Sequence, residues 1–172
     1  MSQLPTEAIA IARAEKGDEA VASGIVQEAA NWLAATGQEM WGPEDYTVEA
    51  LRPAVEAGDL YLARIDGEPV GVMILQWEDP YYWPDVPSGE SAFVHRLAVK
   101  RSVAGRGVSH ALLEWAKHSA REAGRKYLRL DCDPERPRLC AFYESAGFVR
   151  HSVTTIEGYS VVRYQMVLDV SP

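Results

Sequence analysis

The sequence is poor in cysteine, with only Cys132 and Cys140 and seven residues between them. That spacing builds neither a zinc cluster nor a disulfide framework, so both are expected as reduced thiols. Long apolar runs are missing as well. A stretch such as Val70–Leu75 falls far short of the ~20 residues that a membrane span needs, so no membrane partner is expected. Met1–Ala14 carries no basic start followed by an apolar core, so no secretory leader is read and the expected compartment is cytoplasmic. The histidines, at 95, 110, 118 and 151, never fall four apart on a helix, and no metal is expected. Positive charge is in deficit: 17 basic against 25 acidic residues, a net charge of −8. This argues against a nucleic-acid partner. It is compatible with a cationic substrate and equally with a charge that only keeps the chain soluble.

What remains is an ordinary globular composition, 47% hydrophobic and 24% charged over 172 residues, enough for a single domain, 1–172, and short for two. No repeat or low-complexity linker interrupts it. Ala8–Ala14 reads as a strand. Asp18–Thr36 reads as a helix, with Val21, Ile25, Ala29, Trp32 and Leu33 at three- and four-residue steps and Gly37 as its stop. Thr47–Ala57 is a second helix that Thr47 caps, Pro53 interrupts or restarts, and Gly58 ends. Asp59–Ile65 and Val70–Trp77 form a hairpin across Asp66-Gly67-Glu68-Pro69. Glu78–Glu90 is an irregular loop and Ser91–Val99 the next strand. Val108–Ala123 is a helix with Val108, Ala111, Leu112, Trp115, Ser119 and Ala123 on one face and Gly124 at its end. Lys126–Asp131 is a strand, Pro137–Ala146 a helix, and Val149–Ile156 with Tyr159–Val167 a closing antiparallel pair. The order implies an α+β fold, a mainly antiparallel sheet with one strand–helix–strand crossover and helices on both faces.

The densest chemistry lies in Val94–Leu113, where a strand runs into Gly105-Arg106-Gly107 and a periodic helix begins at once. Glycines let the backbone turn tightly. A helix start offers unpaired N–H donors and a positive dipole end, which favour a phosphate. Arg106, and Arg101 from the entry to the loop, add positive charge. Such turns also occur without any ligand, and the local pattern leaves both readings open. A P-loop needs Gly-Lys-Ser/Thr, whereas Gly107 precedes Val108-Ser109. A dinucleotide fingerprint needs a third glycine where His110 stands.

Ala104-Gly105-Arg106-Gly107-Val108-Ser109, after Leu97-Ala98-Val99 and before Ala111-Leu112-Leu113, resembles the acyl-CoA-binding core of the GNAT superfamily of N-acetyltransferases. The departures are Ala104 in place of Gln or Arg, and Ser109 in place of Gly or Ala. Ala141-Phe142-Tyr143-Glu144-Ser145-Ala146-Gly147-Phe148 resembles a second family block, with Arg136 where an asparagine is often found. The two blocks cover about Ser91–Phe148.

The resemblance implies a GNAT-like mixed sheet and acetyl-CoA as cosubstrate. It implies transfer of the acetyl group to an amine of a small molecule or protein, with a homodimer common among relatives. It assigns cofactor contacts to Leu97, Ala98 and Val99, to Ala104 through Ser109, and to Arg136 and Phe142. Its acid for the departing thiolate is Tyr143. His95, on the strand where relatives often carry Glu, is the candidate general base; Glu78, Asp79 and Glu90 are alternatives. Trp32, Trp41, Trp77, Tyr81, Tyr82 and Trp83 would flank the acceptor. A catalytically silent acyl-CoA-binding regulatory module is the alternative reading.

Overall fold

In a computed structural model the chain runs β1 (Ile9–Arg13), α1 (Glu19–Ala35), α2 (Pro43–Tyr46), α3 (Val48–Ala57), β2 (Leu60–Ile65), β3 (Glu68–Gln76) and β4 (Ser91–Val99). A 3₁₀ turn at Arg101–Val103 leads to α4 (Val108–Glu122), β5 (Tyr127–Cys132), α5 (Pro137–Ser145), β6 (Val149–Ile156) and β7 (Tyr159–Val167). The structure describes residues 8–169. Residues 1–7, part of the segment searched for a leader, lie outside the described residues. The strands form one seven-stranded sheet in the order β1-β2-β3-β4-β5-β7-β6. β4 and β5 pair in parallel, and the β1–β2, β2–β3, β5–β7 and β6–β7 pairs are antiparallel. The fold is the mixed, mainly antiparallel α+β arrangement expected. No described helix is long and apolar enough to cross a membrane.

Two compact units divide the chain: Met1–Ile74 with Arg96–Leu112, and Leu75–His95 with Leu113–Pro172. In the first, alternate residues of β2 and β3 (Leu60, Leu62, Val72) turn to one side, as the two-residue period of a strand requires. There they meet Ile25 and Val26 of α1 and Leu51 of α3 in one apolar cluster. In the second unit β5 lies beside β7 from Tyr127↔Val167 to Cys132↔Val162, and Leu128, Leu130, Val162 and Tyr164 are buried.

Local chemistry sets most of the boundaries. Thr47 Oγ1 accepts from the Ala50 N–H at 3.3 Å and caps α3, while Gly58 closes it at φ 78°. Pro53 does not break that helix. It sits inside a continuous α3 on the exposed side, where a missing N–H removes one hydrogen bond while the burial of Leu51 and Val55 holds the turns around it. The hairpin is tighter than expected: Asp66 and Gly67 alone make the turn, at φ 51° and 80°. Two left-handed residues form the reverse turn whose twist matches the strands, so Glu68 and Pro69 belong to β3. A register shift after Ala63 accommodates Pro69, which has no N–H for the ladder.

Two further corrections concern helices. The short α2 has no counterpart among the expected elements; Pro43 at its first position and Glu44 and Asp45 in its first turn are its signals. The buried stripe of α4 is Val108, Leu112, Leu113, Ala116 and Ala120, whereas Trp115 is 36% exposed and Ala123 is exposed. The buried line runs in four-residue steps through Val108, Leu112, Ala116 and Ala120, so Trp115 falls at its edge.

Candidate functional site

The loop between β4 and α4 belongs to the first unit. Gly105 and Gly107 adopt φ 78° and 85°, backbone angles that side chains with a Cβ rarely take. A Cβ at either position would meet nothing within 4 Å, so conformation and not crowding calls for glycine. The Gly107 carbonyl accepts from the Ala111 N–H at 3.0 Å and so opens α4, whose first-turn N–H groups have no partner within the helix. Ala104, Gly105, Arg106 and Gly107 are exposed, Ser109 is half-buried and Val108 is buried. Val108 and Leu112 lie where a Cβ on Gly71 of β3 would collide, at 2.9 and 3.1 Å, so that glycine lets the start of α4 press onto the strand. Arg101 does not stand free at the loop's entry. Its guanidinium lies 3.7 Å from the centre of the Trp32 ring.

Strand β4 carries an irregularity just before the loop. Arg96 is at φ 51°, an unusual angle for a non-glycine residue within a strand. Its side chain is held in place: Nη2 donates to Asp45 Oδ1 at 2.8 Å and Nε to the Asp45 carbonyl at 3.1 Å. The parallel ladder with β5 covers Ser91, Ala92 and Phe93.

His95 falls in the second unit. Its Nε2 lies 2.9 Å from Asp79 Oδ2, and the two side chains are 14% and 5% exposed. Asp79 Oδ1 accepts from the Tyr82 N–H at 3.0 Å, the Asp79 carbonyl accepts from the Trp83 N–H, and the Tyr82 ring lies 5.9 Å from His95. Asp131 of β5 joins this group. One polar atom from each of Asp79, His95 and Asp131 lies within 4.8 Å of the others. A divalent ion takes such donors, but His95 Nε2 and Asp79 Oδ2 are already engaged with each other, so the cluster is organised as a hydrogen-bonded pair with a second carboxylate beside it.

The segment carrying Asp79 is pinned from several sides. Trp83 is 2% exposed, packed against Phe93 and faced by the guanidinium groups of Arg129 and Arg163 at 5.0 and 4.6 Å. Arg163 grips Asp85 through two hydrogen bonds of 2.6 and 3.1 Å. Arg129 donates to Ser91 Oγ at 2.6 Å and to Glu90 at 3.3 Å. Glu78 accepts from Ser88 and the Gly89 N–H. Of the six aromatic residues expected around an acceptor, Trp83 is thus an internal anchor and Trp41 packs on the first unit's core. Tyr82 is the one that neighbours His95.

Tyr143, on α5 of the same unit, is 8% exposed and packs near Phe142, Phe148 and Tyr164. Burial, followed by Cys132, Asp131 and Cys140, holds its phenol above the usual range. Cys132 and Cys140 are free thiols with sulfurs 3.8 Å apart. Burial, then Cys140, Asp131 and Asp133, pushes the Cys132 thiol up, which makes it a poor nucleophile. Arg136 caps α5, with Nε 3.6 Å from Asp133 Oδ2, and Phe142 is half-buried.

Residues 26–148 match the model of the acetyltransferase (GNAT) family. The chain belongs to the GNAT family of acetyltransferases. Among its relatives is the N-acetyltransferase YesJ of Bacillus subtilis, 29% identical over 133 residues that make up 73% of each chain. A GNAT-family acetyltransferase from Listeria monocytogenes has the same fold, with a TM-score of 0.80, 23% identity and coverage of 93% of this chain and 95% of that one. So does the PaiA N-acetyltransferase of Thermoplasma acidophilum, solved in complex with coenzyme A, with a TM-score of 0.71, 17% identity and coverage of 91% and 98%. This GNAT acetyltransferase also has residues near its candidate site that sequence reasoning passed over: Asp45 and Arg96, which fix the β4 irregularity, and Arg129 and Arg163, which hold the Asp79 segment. Nothing local marks them, because Arg96 reaches Asp45 across 51 residues, Arg129 reaches Ser91 across 38 and Arg163 reaches Tyr82 across 81.

Proposed function

We propose that this acetyltransferase takes acetyl-CoA as donor and passes the acetyl group to a primary amine by direct attack in a ternary complex. The observation that carries the reading is the turn at Gly105 and Gly107, both left-handed and opening directly into α4. The diphosphate of the donor is assigned to the loop Ala104–Ser109, where backbone N–H groups and a helix start favour an anion. The N–H and C=O groups of Leu97, Ala98 and Val99 are assigned to the pantetheine arm, which can pair with them as an added strand. Arg136 and Phe142 are assigned to the donor side of α5. The family match takes in residues of both units, which supports treating 1–172 as one acetyltransferase domain.

The donor supplies a thioester; the protein's task is to manage protons and charge around it. An amine attacks only as the free base, so its ammonium must first lose a proton, and His95 is assigned that role. The nitrogen then bonds to the carbonyl carbon, a backbone N–H of β4 stabilises the oxyanion, the carbon–sulfur bond breaks, and the proton that the nitrogen sheds passes to the departing thiolate. Tyr143 is assigned to the departing sulfur as a hydrogen-bond donor. Its raised phenol stays protonated throughout the working range, so it offers that hydrogen bond at every pH. The products are an acetamide and the free thiol.

The test is thiol release from acetyl-CoA with spermidine, lysine, neamine and a peptide with a free N-terminus, for the wild type and His95→Ala. The expected result is release with at least one amine, and a loss of ~10²-fold or more in kcat/KM, together with the acidic limb of the pH profile, in the variant. An unchanged pH profile in His95→Ala removes His95 from the role. Binding of acetyl-CoA without release to any amine points to the silent module.

A further inference from the structure

We propose that Asp79 is a positioning residue that fixes the tautomer of His95, leaving Nδ1 as the atom that takes the proton from the acceptor amine. The inference rests on the assignment of His95 as base. Its physical ground is the hydrogen-bond inventory of one carboxylate. Asp79 Oδ1 accepts from a backbone N–H, that of Tyr82, at 3.0 Å. A backbone amide can only donate, so that oxygen is an acceptor. Oδ2 faces His95 Nε2 at 2.9 Å, a length typical of a hydrogen bond to an ionised carboxylate. The Asp79 side chain is 5% exposed, and a carboxylate so far from water needs donors on both oxygens. Nε2–H supplies the second. A neutral imidazole has one N–H and one lone pair, so the lone pair falls on Nδ1.

The same pair prepares the ring for the charge it receives. Once Nδ1 takes a proton, the imidazolium lies 2.9 Å from a carboxylate, so it is not left unpaired on a side chain only 14% exposed, where a lone charge is costly. The charged group that faces this pair from β5 is Asp131; Tyr82 supplies the neighbouring ring. The geometry is not left to Asp79 alone. The next turn of chain, through Tyr82, ends on Trp83, which is buried between Phe93 and two arginines, so the carboxylate is held from behind.

Asp79→Asn is the informative change. An amide there accepts from the Tyr82 N–H through its oxygen and must offer N–H to His95 Nε2. The imidazole proton then moves to Nδ1 and removes the lone pair from the reacting side, with packing preserved. The direct measurement is the long-range ¹H–¹⁵N correlation spectrum of the imidazoles, with His95 assigned by its absence in His95→Gln. It needs no acceptor. In the wild type neutral His95 should carry its proton on Nε2, in Asp79→Asn on Nδ1, and in Asp79→Glu on Nε2 again. With the amine that gives fastest thiol release among spermidine, lysine and neamine, kcat should fall ~100-fold in Asp79→Asn and recover in part in Asp79→Glu, with KM for acetyl-CoA unchanged. A wild-type His95 protonated on Nδ1 overturns the proposal, as does an Asp79→Asn protein that keeps both Nε2–H and the wild-type rate. If the spectra come out as expected but His95→Ala turns over normally, the base assignment fails and the tautomer stands. If His95→Ala is inactive and the wild-type tautomer is wrong, only the role of Asp79 fails.

Discussion

Residues 104–109 take their shape from within. Gly105 and Gly107 supply the left-handed angles, and the Gly107–Ala111 hydrogen bond that opens α4 spans four residues. Residues 78–95 take theirs from elsewhere in the chain: Asp85 from Arg163, 78 residues on, Tyr81 from Glu157, 76 residues on, and Asp79 from His95, 16 residues on. The difference follows the task assigned to each. A diphosphate can be held by any tight array of N–H groups, and a short glycine turn makes one locally. Handling a single proton needs one side chain in one orientation, and only contacts from several directions over-determine that.

The two regions should therefore fail separately. The largest effect is expected from Trp83→Ala, which removes the anchor behind Asp79. Equilibrium unfolding should show a loss of about 3–5 kcal/mol, while any folded fraction should bind acetyl-CoA with the wild-type dissociation constant. A concurrent loss of affinity would show that the loop depends on the anchored segment after all. A smaller effect concerns pH and the same segment. His151 lies 5.3 Å from the Trp83 ring. Burial first, then Arg129 and Arg163, hold its imidazole below the ordinary value, with Asp85 opposing. Because the unfolded chain then binds the proton first as pH falls, the stabilisation is intact above about pH 6.5 and is lost as pH drops through the folded value. Melting temperature should decline over that window, and His151→Gln should flatten the decline. An unaltered slope would remove His151 from the account of acid sensitivity.

The same contrast explains what could be read in advance. The bounds of β4, β6 and β7 agree with the expectation residue for residue, because alternation and the flanking turn residues are local signals. The turn at Gly105 and Gly107 was equally visible, since glycine spacing is written in the chain. Features that depend on distant partners carry no local signal. His95 and Asp79 stood as alternatives for one task, whereas 2.9 Å between them makes them one pair. Arg96 was an ordinary strand residue until Asp45, 51 positions away, was seen to hold its angle. Trp83 was expected to flank the acceptor because its segment would do so under the family resemblance; two arginines on β5 and β7 and the ring of Phe93 bury it instead.

The central claim, that the Gly105–Gly107 turn is where the donor binds, is tested most directly by calorimetric titration of acetyl-CoA into the wild type and Gly107→Val. At φ 85° a β-branched residue is strained by about 1–3 kcal/mol, and relaxing that strain moves the N–H groups of the turn. Saturable binding by the wild type and a dissociation constant raised ~10- to 100-fold in the variant are predicted. Equal affinity in the two proteins, or no binding by the wild type, would contradict the account.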